Sequence, residues 1–166
     1  AMADRPELLR ALEGHSGAVR AIALTPDGRV AVSGSFDGTL KIWDLAEGRL
    51  LRTLEGHTGR VRGAAVTPDG CHALSASDDH TLRYWSLERG ETVHVLSGHT
   101  VPVWAVAVSP DGRRALSGAM NGTVGLWDLG SGEQIALFPG HDHEIYAAAI
   151  SPDGRRLAYE LYNDES

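Results

Sequence analysis

Serine, histidine and aspartate recur together in this chain at spacings that suggest nucleophilic catalysis. His15, Ser33 and Asp37 are followed 42 residues later by His57, Ser75 and Asp79, and 42 residues after that by His99, Ser117 and Asn121. A histidine that takes a hydroxyl proton while a carboxylate orients it is the usual work of such a trio. Two observations argue against that reading. An enzyme needs one site, whereas the trio recurs in every complete copy, each time with a tryptophan (Trp43, Trp85, Trp127). No oxyanion-hole signature accompanies any of them. A metal centre fares no better. The repeated histidines are spread along the chain, and the local cluster His141-Asp142-His143-Glu144 lacks an evident third ligand. The glycines fall in hairpin signals and none opens a helix, so there is no phosphate cradle. No catalytic residue, metal or cofactor is expected.

The trio belongs to a longer period. Gly-His recurs at Gly14, Gly56, Gly98 and Gly140, and Pro-Asp-Gly at Pro26, Pro68, Pro110 and Pro152, always 42 residues apart. Markers held in one register across the chain identify tandem structural repeats. Each repeat reads as four short strands separated by tight turns. In the first copy these are Val19 to Thr25, Val30 to Ser35, Thr39 to Leu45 and Leu50 to Leu54, with turns at Pro26-Asp27-Gly28 and Asp37-Gly38. No segment offers a helical period. A lone four-stranded sheet cannot bury both faces, whereas sheets stacked face to face around an axis can.

Composition bounds the partners. The 166 residues carry a net charge of −7, which argues against nucleic acid. No apolar run is long enough to span a membrane. The single cysteine, Cys71, fits a reducing cytoplasm.

The pattern "GH…SGSFDGTLKIWD" resembles the WD40-repeat β-propeller family, and the resemblance covers residues 8 to about 158. It implies an all-β fold with four-stranded antiparallel blades, residues 1–7 being a tail and residues 8–166 the propeller segment. It also implies a hydrogen-bonded tetrad in each blade: His15, Ser33, Asp37 and Trp43; His57, Ser75, Asp79 and Trp85; His99, Ser117, Asn121 and Trp127. Buried polar groups need partners, and a closed set of them pins a loop to a sheet. Asn121 cannot carry the charge of Asp37 or Asp79, so the third tetrad is expected to be the weakest.

Comparing the copies with one another separates framework from specificity. Three positions change chemistry from copy to copy: Arg20, Arg62, Trp104 and Tyr146; Ala18, Arg60, Pro102 and Glu144; Phe36, Asp78, Met120 and Tyr162. The resemblance implies that these lie together on the wide (top) face around the channel mouth. Arginine and tryptophan are frequent interface anchors, and Trp104 is the tryptophan that no tetrad uses. A protein- or peptide-binding surface is therefore expected, centred on Arg20, Arg60, Arg62 and Trp104, with Phe36, Asp78, Met120 and Tyr146 around it.

The fourth copy departs from the others after Leu157. Tyr159 stands at the serine position and Asn163 at the aspartate position. Three copies and a half leave sheet faces uncovered, and symmetric closure by a second chain into an eight-bladed ring is expected. In that ring Leu8–Leu12 of one copy adds an outer strand beside Ile145–Tyr162 of the other. Two other readings compete: a portion of a longer bacterial signalling protein that joins such repeats to an ATPase or a kinase, and a propeller hydrolase or lyase using Asp78 and Glu144 at the channel mouth.

Overall fold

The computed structural model describes residues 10–140 and 142–161. Its elements are fourteen strands. The first sheet contains β1 (Val19–Leu24), β2 (Val30–Ser35), β3 (Leu40–Asp44) and β4 (Arg49–Leu54). The second contains β5 (Val61–Val66), β6 (His72–Ser77), β7 (Thr81–Ser86) and β8 (Glu91–Ser97). The third contains β9 (Val103–Val108), β10 (Arg114–Ala119), β11 (Val124–Asp128) and β12 (Gln134–Phe138). β13 (Ile145–Ile150) and β14 (Leu157–Leu161) form a final two-stranded sheet. Every neighbouring pair is antiparallel and runs in sequence order. The strands match the sequence reading to within two residues at each end.

The turn chemistry explains the regularity. Gly28, Gly70, Gly112 and Gly154 all have φ near +70° at the Pro-Asp-Gly turns, which glycine adopts without steric cost. Before each turn stands a hydroxyl, on Thr25, Thr67, Ser109 or Ser151, that donates to the turn aspartate. The same carboxylate oxygen accepts the amide two residues further on. The repeated Thr/Ser before Pro-Asp-Gly is visible in the sequence and was missed as a structural position.

The first strands of the four sheets lie next to one another, β1 on β5, β5 on β9 and β9 on β13. The core is therefore a series of three joints. At the first, Val32, Leu40, Ile42 and Leu54 meet Val61, Ala73 and Trp85. At the second, Leu74, Leu82, Tyr84 and Leu96 meet Val103, Ala115 and Trp127. At the third, Leu116 and Val124 meet Ile145. Small residues on one side let the sheets approach: a Cβ at Gly34 would lie 2.6 Å from Val61 Cγ1.

The expected outer strand at Leu8–Leu12 needs correction. Leu8 and Leu9 lie outside the described residues, and Arg10 to Leu12 carry no strand. A strand requires a ladder partner for its amides. The described part of this stretch instead lays the Arg10 side chain over the β3–β4 turn at Gly48. Tyr162, at the far end of the expected seam, also lies outside the described residues.

Candidate functional site

In the first two repeats tryptophan, serine, histidine and aspartate are hydrogen-bonded in series. In the first, the Trp43 indole N–H donates to Ser33 Oγ at 2.8 Å, and Ser33 Oγ lies 2.7 Å from His15 Nε2. His15 Nδ1 lies 2.8 Å from Asp37 Oδ2. The second repeats this with Trp85–Ser75 at 2.8 Å, Ser75–His57 at 2.7 Å and His57–Asp79 at 2.7 Å. Because a carboxylate only accepts, each Nδ1 carries the proton, and in a neutral imidazole Nε2 takes the serine proton. The loop amides of Ser16 and Thr58 donate to the same Oδ2 atoms at 3.1 Å. A threonine outside the expected tetrad, Thr39 or Thr81, donates its amide and its hydroxyl to the Oδ1 atoms.

These bonds set the charge state of the aspartates. Burial alone would raise the Asp37 carboxyl. The bonds from Thr39, His15 and Ser16 overrule it and hold the group well below the usual carboxylate range. At Asp79 burial pushes in the same upward direction, and His57 and Thr81 win. Ser33, Ser75 and Ser117 are buried with an indole N–H on each oxygen. A nucleophile must reach substrate, so the trio serves structure.

The third tetrad is incomplete. Trp127, Ser117 and His99 Nε2 repeat the geometry at 2.8 and 2.7 Å. No bond joins His99 to Asn121; the His99 Nδ1 lies 3.2 Å from the Thr123 hydroxyl, which in turn donates to Asn121 Oδ1 at 2.6 Å. The cause is a clash of donors. An amide NH₂ at the Oδ2 position faces the imidazole N–H and the loop amide, neither of which can accept from it. Burial then pushes the His99 imidazole down to about 4, with no carboxylate beside it to oppose the shift. In the fourth sheet Tyr159 pairs opposite Ala148 at the register where Ser117 faces Val106.

Seven of the variable residues, Phe36, Arg60, Arg62, Asp78, Trp104, Glu144 and Tyr146, touch in a strip that crosses all four sheets. Arg62 is bidentate to Asp78, Nε to Oδ1 at 2.9 Å and a terminal nitrogen to Oδ2 at 2.8 Å. Its guanidinium lies 4.6 Å from the Phe36 ring centroid and 5.2 Å from that of Trp104. Trp104 donates from its indole N–H to Asp78 Oδ1 at 3.2 Å and packs on Tyr146 at 4.9 Å between centroids. The Tyr146 hydroxyl donates to Glu144 at 2.9 Å. Arg60 covers the other side of the ladder, 5.0 Å from Phe36. Phe36 is accordingly half-buried beneath two guanidinium groups. Arg20 and Met120 are exposed and stand apart from these contacts. Among the described residues neither Arg20 nor Arg60 forms an ion pair with a carboxylate. A cleft of about 230 Å³ opens beside Phe36 and Arg60.

Of the His141 to Glu144 cluster, His141 lies outside the described residues, and Glu144 is engaged by Tyr146. Among the described residues no group of three or more histidine, cysteine, aspartate or glutamate side chains is placed to hold a metal ion. Among the same residues no helix is long and apolar enough to cross a membrane.

The family of the WD domain, G-beta repeat (WD40), matches four times, at residues 6–44, 48–86, 90–128 and 132–158. Small ribosomal subunit protein RACK1y of Oryza sativa subsp. japonica is 54% identical over 39 residues, 24% of this chain and 12% of that protein. Small ribosomal subunit protein RACK1 of Medicago sativa is 49% identical over 43 residues, 26% of this chain and 13% of that protein. The aligned segment thus spans about one eighth of the length of these curated relatives, roughly one repeat. The family matches cover most of the chain, every complete copy carries the tetrad residues in the same order, and the chain belongs to the WD40-repeat family.

Proposed function

We propose that this chain is a non-catalytic scaffold that binds a protein or peptide on the Phe36–Arg62–Trp104–Tyr146 strip. One observation carries the reading: residues that differ between repeats stack into a single preordered ladder, while the repeated residues build the sheets. Arg62 and Asp78 neutralise each other, which leaves Arg60 as a cation beside Phe36 without an ion-pair partner among the described residues. A partner that presents carboxylates next to an apolar side chain fits that surface. Relatives named as small ribosomal subunit proteins belong to an assembly, which supports a scaffold role. Partners are recovered by pull-down with the wild-type chain, and their affinities are measured for an Arg60→Ala, Trp104→Ala variant. A loss of tenfold or more is expected. Unchanged affinity for every recovered partner overturns the reading.

A second surface supports self-association. Val19, Val61, Val103 and Ile145 occupy the same place in the four repeats. The last three are 0% exposed at the joints, whereas Val19 is 55% exposed. Ile22 and Leu24, beside it on β1, are 67% and 57% exposed. Their counterparts Ala64 and Val66, and Val106 and Val108, pack into the joints. At the other end Ala147, Ala149 and Ala158 are exposed where Ala105 and Leu116 are buried. These two faces are the halves of an internal joint. A second copy supplies each with its complement, and two copies joined head to tail at both ends make a closed ring. Light scattering should give twice 17.7 kDa for the wild-type chain and 17.7 kDa for Ile22→Lys, Leu24→Lys. A wild-type mass of one chain at micromolar concentration removes the proposal. The cytoplasm, where a lone thiol stays reduced, suits such a scaffold.

A further inference from the structure

Asn121-Gly122 is the one Asn-Gly step in the sequence, and it stands where the first two repeats have Asp37-Gly38 and Asp79-His80. We propose that this step is a self-modification site, at which Asn121 loses ammonia and becomes the aspartate that completes the third tetrad.

The chemistry needs only the chain and water. The backbone nitrogen of Gly122 attacks the side-chain carbonyl carbon of Asn121. A new C–N bond closes a five-membered imide, the bond to the side-chain nitrogen breaks, and that nitrogen departs as ammonia with the proton given up by the Gly122 amide. Water then adds to the side-chain carbonyl and breaks the new bond, which leaves a carboxylate. No electrons are gained or lost.

Four features favour the reaction at this turn. Gly122 has φ +78° and, although buried, carries no side chain of its own beside its nitrogen. Asn121 is exposed to water. Asn121 Oδ1 already accepts the Thr123 amide at 3.1 Å and the Thr123 hydroxyl at 2.6 Å, and negative charge develops on this oxygen during the attack. The Gly122 N–H donates to Ala119 O at 3.0 Å, so this turn bond must open first. That opening is easier here than in the other sheets, because no carboxylate ties the turn to the histidine loop. Asp37 and Asp79, held ionised, are poor electrophiles by comparison.

The product has a place prepared for it. In the first two sheets Oδ2 accepts the histidine Nδ1–H and the next loop amide, from Ser16 or Thr58. In the third sheet His99 Nδ1 has the Thr123 hydroxyl beside it at 3.2 Å in place of a carboxylate, and Thr100 stands in the sequence where Ser16 and Thr58 do. Only the ordinary aspartyl product supplies a carboxylate there. The isoaspartyl product lengthens the main chain by a methylene and pulls Thr123 out of register.

The test is an ageing experiment on the full chain, kept for weeks at body temperature in mildly alkaline buffer. Fragment mass spectra, which separate aspartate from isoaspartate, locate the gain of about 1 Da that replacement of NH by O produces. The expected result is conversion at Asn121, mainly to aspartate, with none in Asn121→Gln, whose longer side chain closes a ring far more slowly. The aged protein should melt about 2–4 °C higher, the shift expected for roughly 1 kcal/mol in a chain of this size, and Asn121→Asp should reproduce that rise. An unmodified Asn121, a mainly isoaspartyl product, or an Asn121→Asp variant that melts no higher each overturns the proposal.

Discussion

Arg62 and Asp78 meet side-on, with two parallel hydrogen bonds of 2.9 and 2.8 Å, while the same guanidinium lies between Phe36 of the first sheet and Trp104 of the third. One ion pair thereby fixes the relative positions of side chains from three sheets. Bidentate geometry and partial burial make such a pair worth more than an exposed one. A double-mutant cycle of Arg62→Ala and Asp78→Ala in urea unfolding should give a coupling of about 1 kcal/mol. A coupling indistinguishable from zero would mean that the pair is decorative.

The first tetrad can be given the chemistry of the third. Asp37→Asn replaces the acceptor of two bonds, from His15 and from the Ser16 amide, with a donor. Loss of hydrogen bonds to a charged group should cost about 1.5–3 kcal/mol. Urea titration measures this, and amide exchange should show the loss concentrated in residues 14–18.

Acid should act in two stages. His99 titrates at about 4 in the folded chain and near 6.5 when unfolded, so the unfolded state takes up the proton first. Its contribution to stability is whole above pH ~6.5 and is lost as pH falls from there to ~4, at no more than about 1.4 kcal/mol per pH unit. Asp37 and Asp79 are depressed, so their contribution is whole above the unfolded carboxylate value of about 3.9 and declines only as pH falls below it. Unfolding free energy measured between pH 7.5 and 5 should therefore slope in the wild type and flatten in His99→Gln. Equal slopes would exclude His99 as the source.

Close packing at the joints predicts a size limit. Gly34→Val brings a branched side chain against Val61, and overpacking of this kind costs about 1–3 kcal/mol. Gly34→Ala should cost less, because Ala76 already occupies the same place in the second sheet, where it is buried. Melting temperatures in the order wild type, Ala, Val test the ranking.

Much of this was legible in the residues. A 42-residue period with turn signals locates strands well, because Pro-Asp-Gly and Asp-Gly leave the chain few alternatives. The tetrad of His15, Ser33, Asp37 and Trp43 was implied by the resemblance to the WD40 family, and the repeat spacing only carried it from copy to copy. The Arg62–Asp78 pair could not be read in either way. Its members are 16 residues apart, one on β5 and the other in the turn after β6, and Phe36 and Trp104 reach Arg62 only because of how closely the sheets stack, a quantity that no local pattern encodes. Thr39 and Thr81 recur at one place in the repeat, but recurrence alone does not show that they hold the tetrad carboxylates from the other side. The outer strand expected at Leu8–Leu12 rested on the propeller reading alone, and a strand also needs a neighbour for its amides.

The exposed face of β1 repeats the chemistry that β5, β9 and β13 bury. An array of these repeats therefore carries no length of its own. Adding or removing a copy changes the arc that is swept and leaves the same kind of exposed sheet face at β1. Such a part can be counted out by gene duplication in whole units, with the fit between units already solved once.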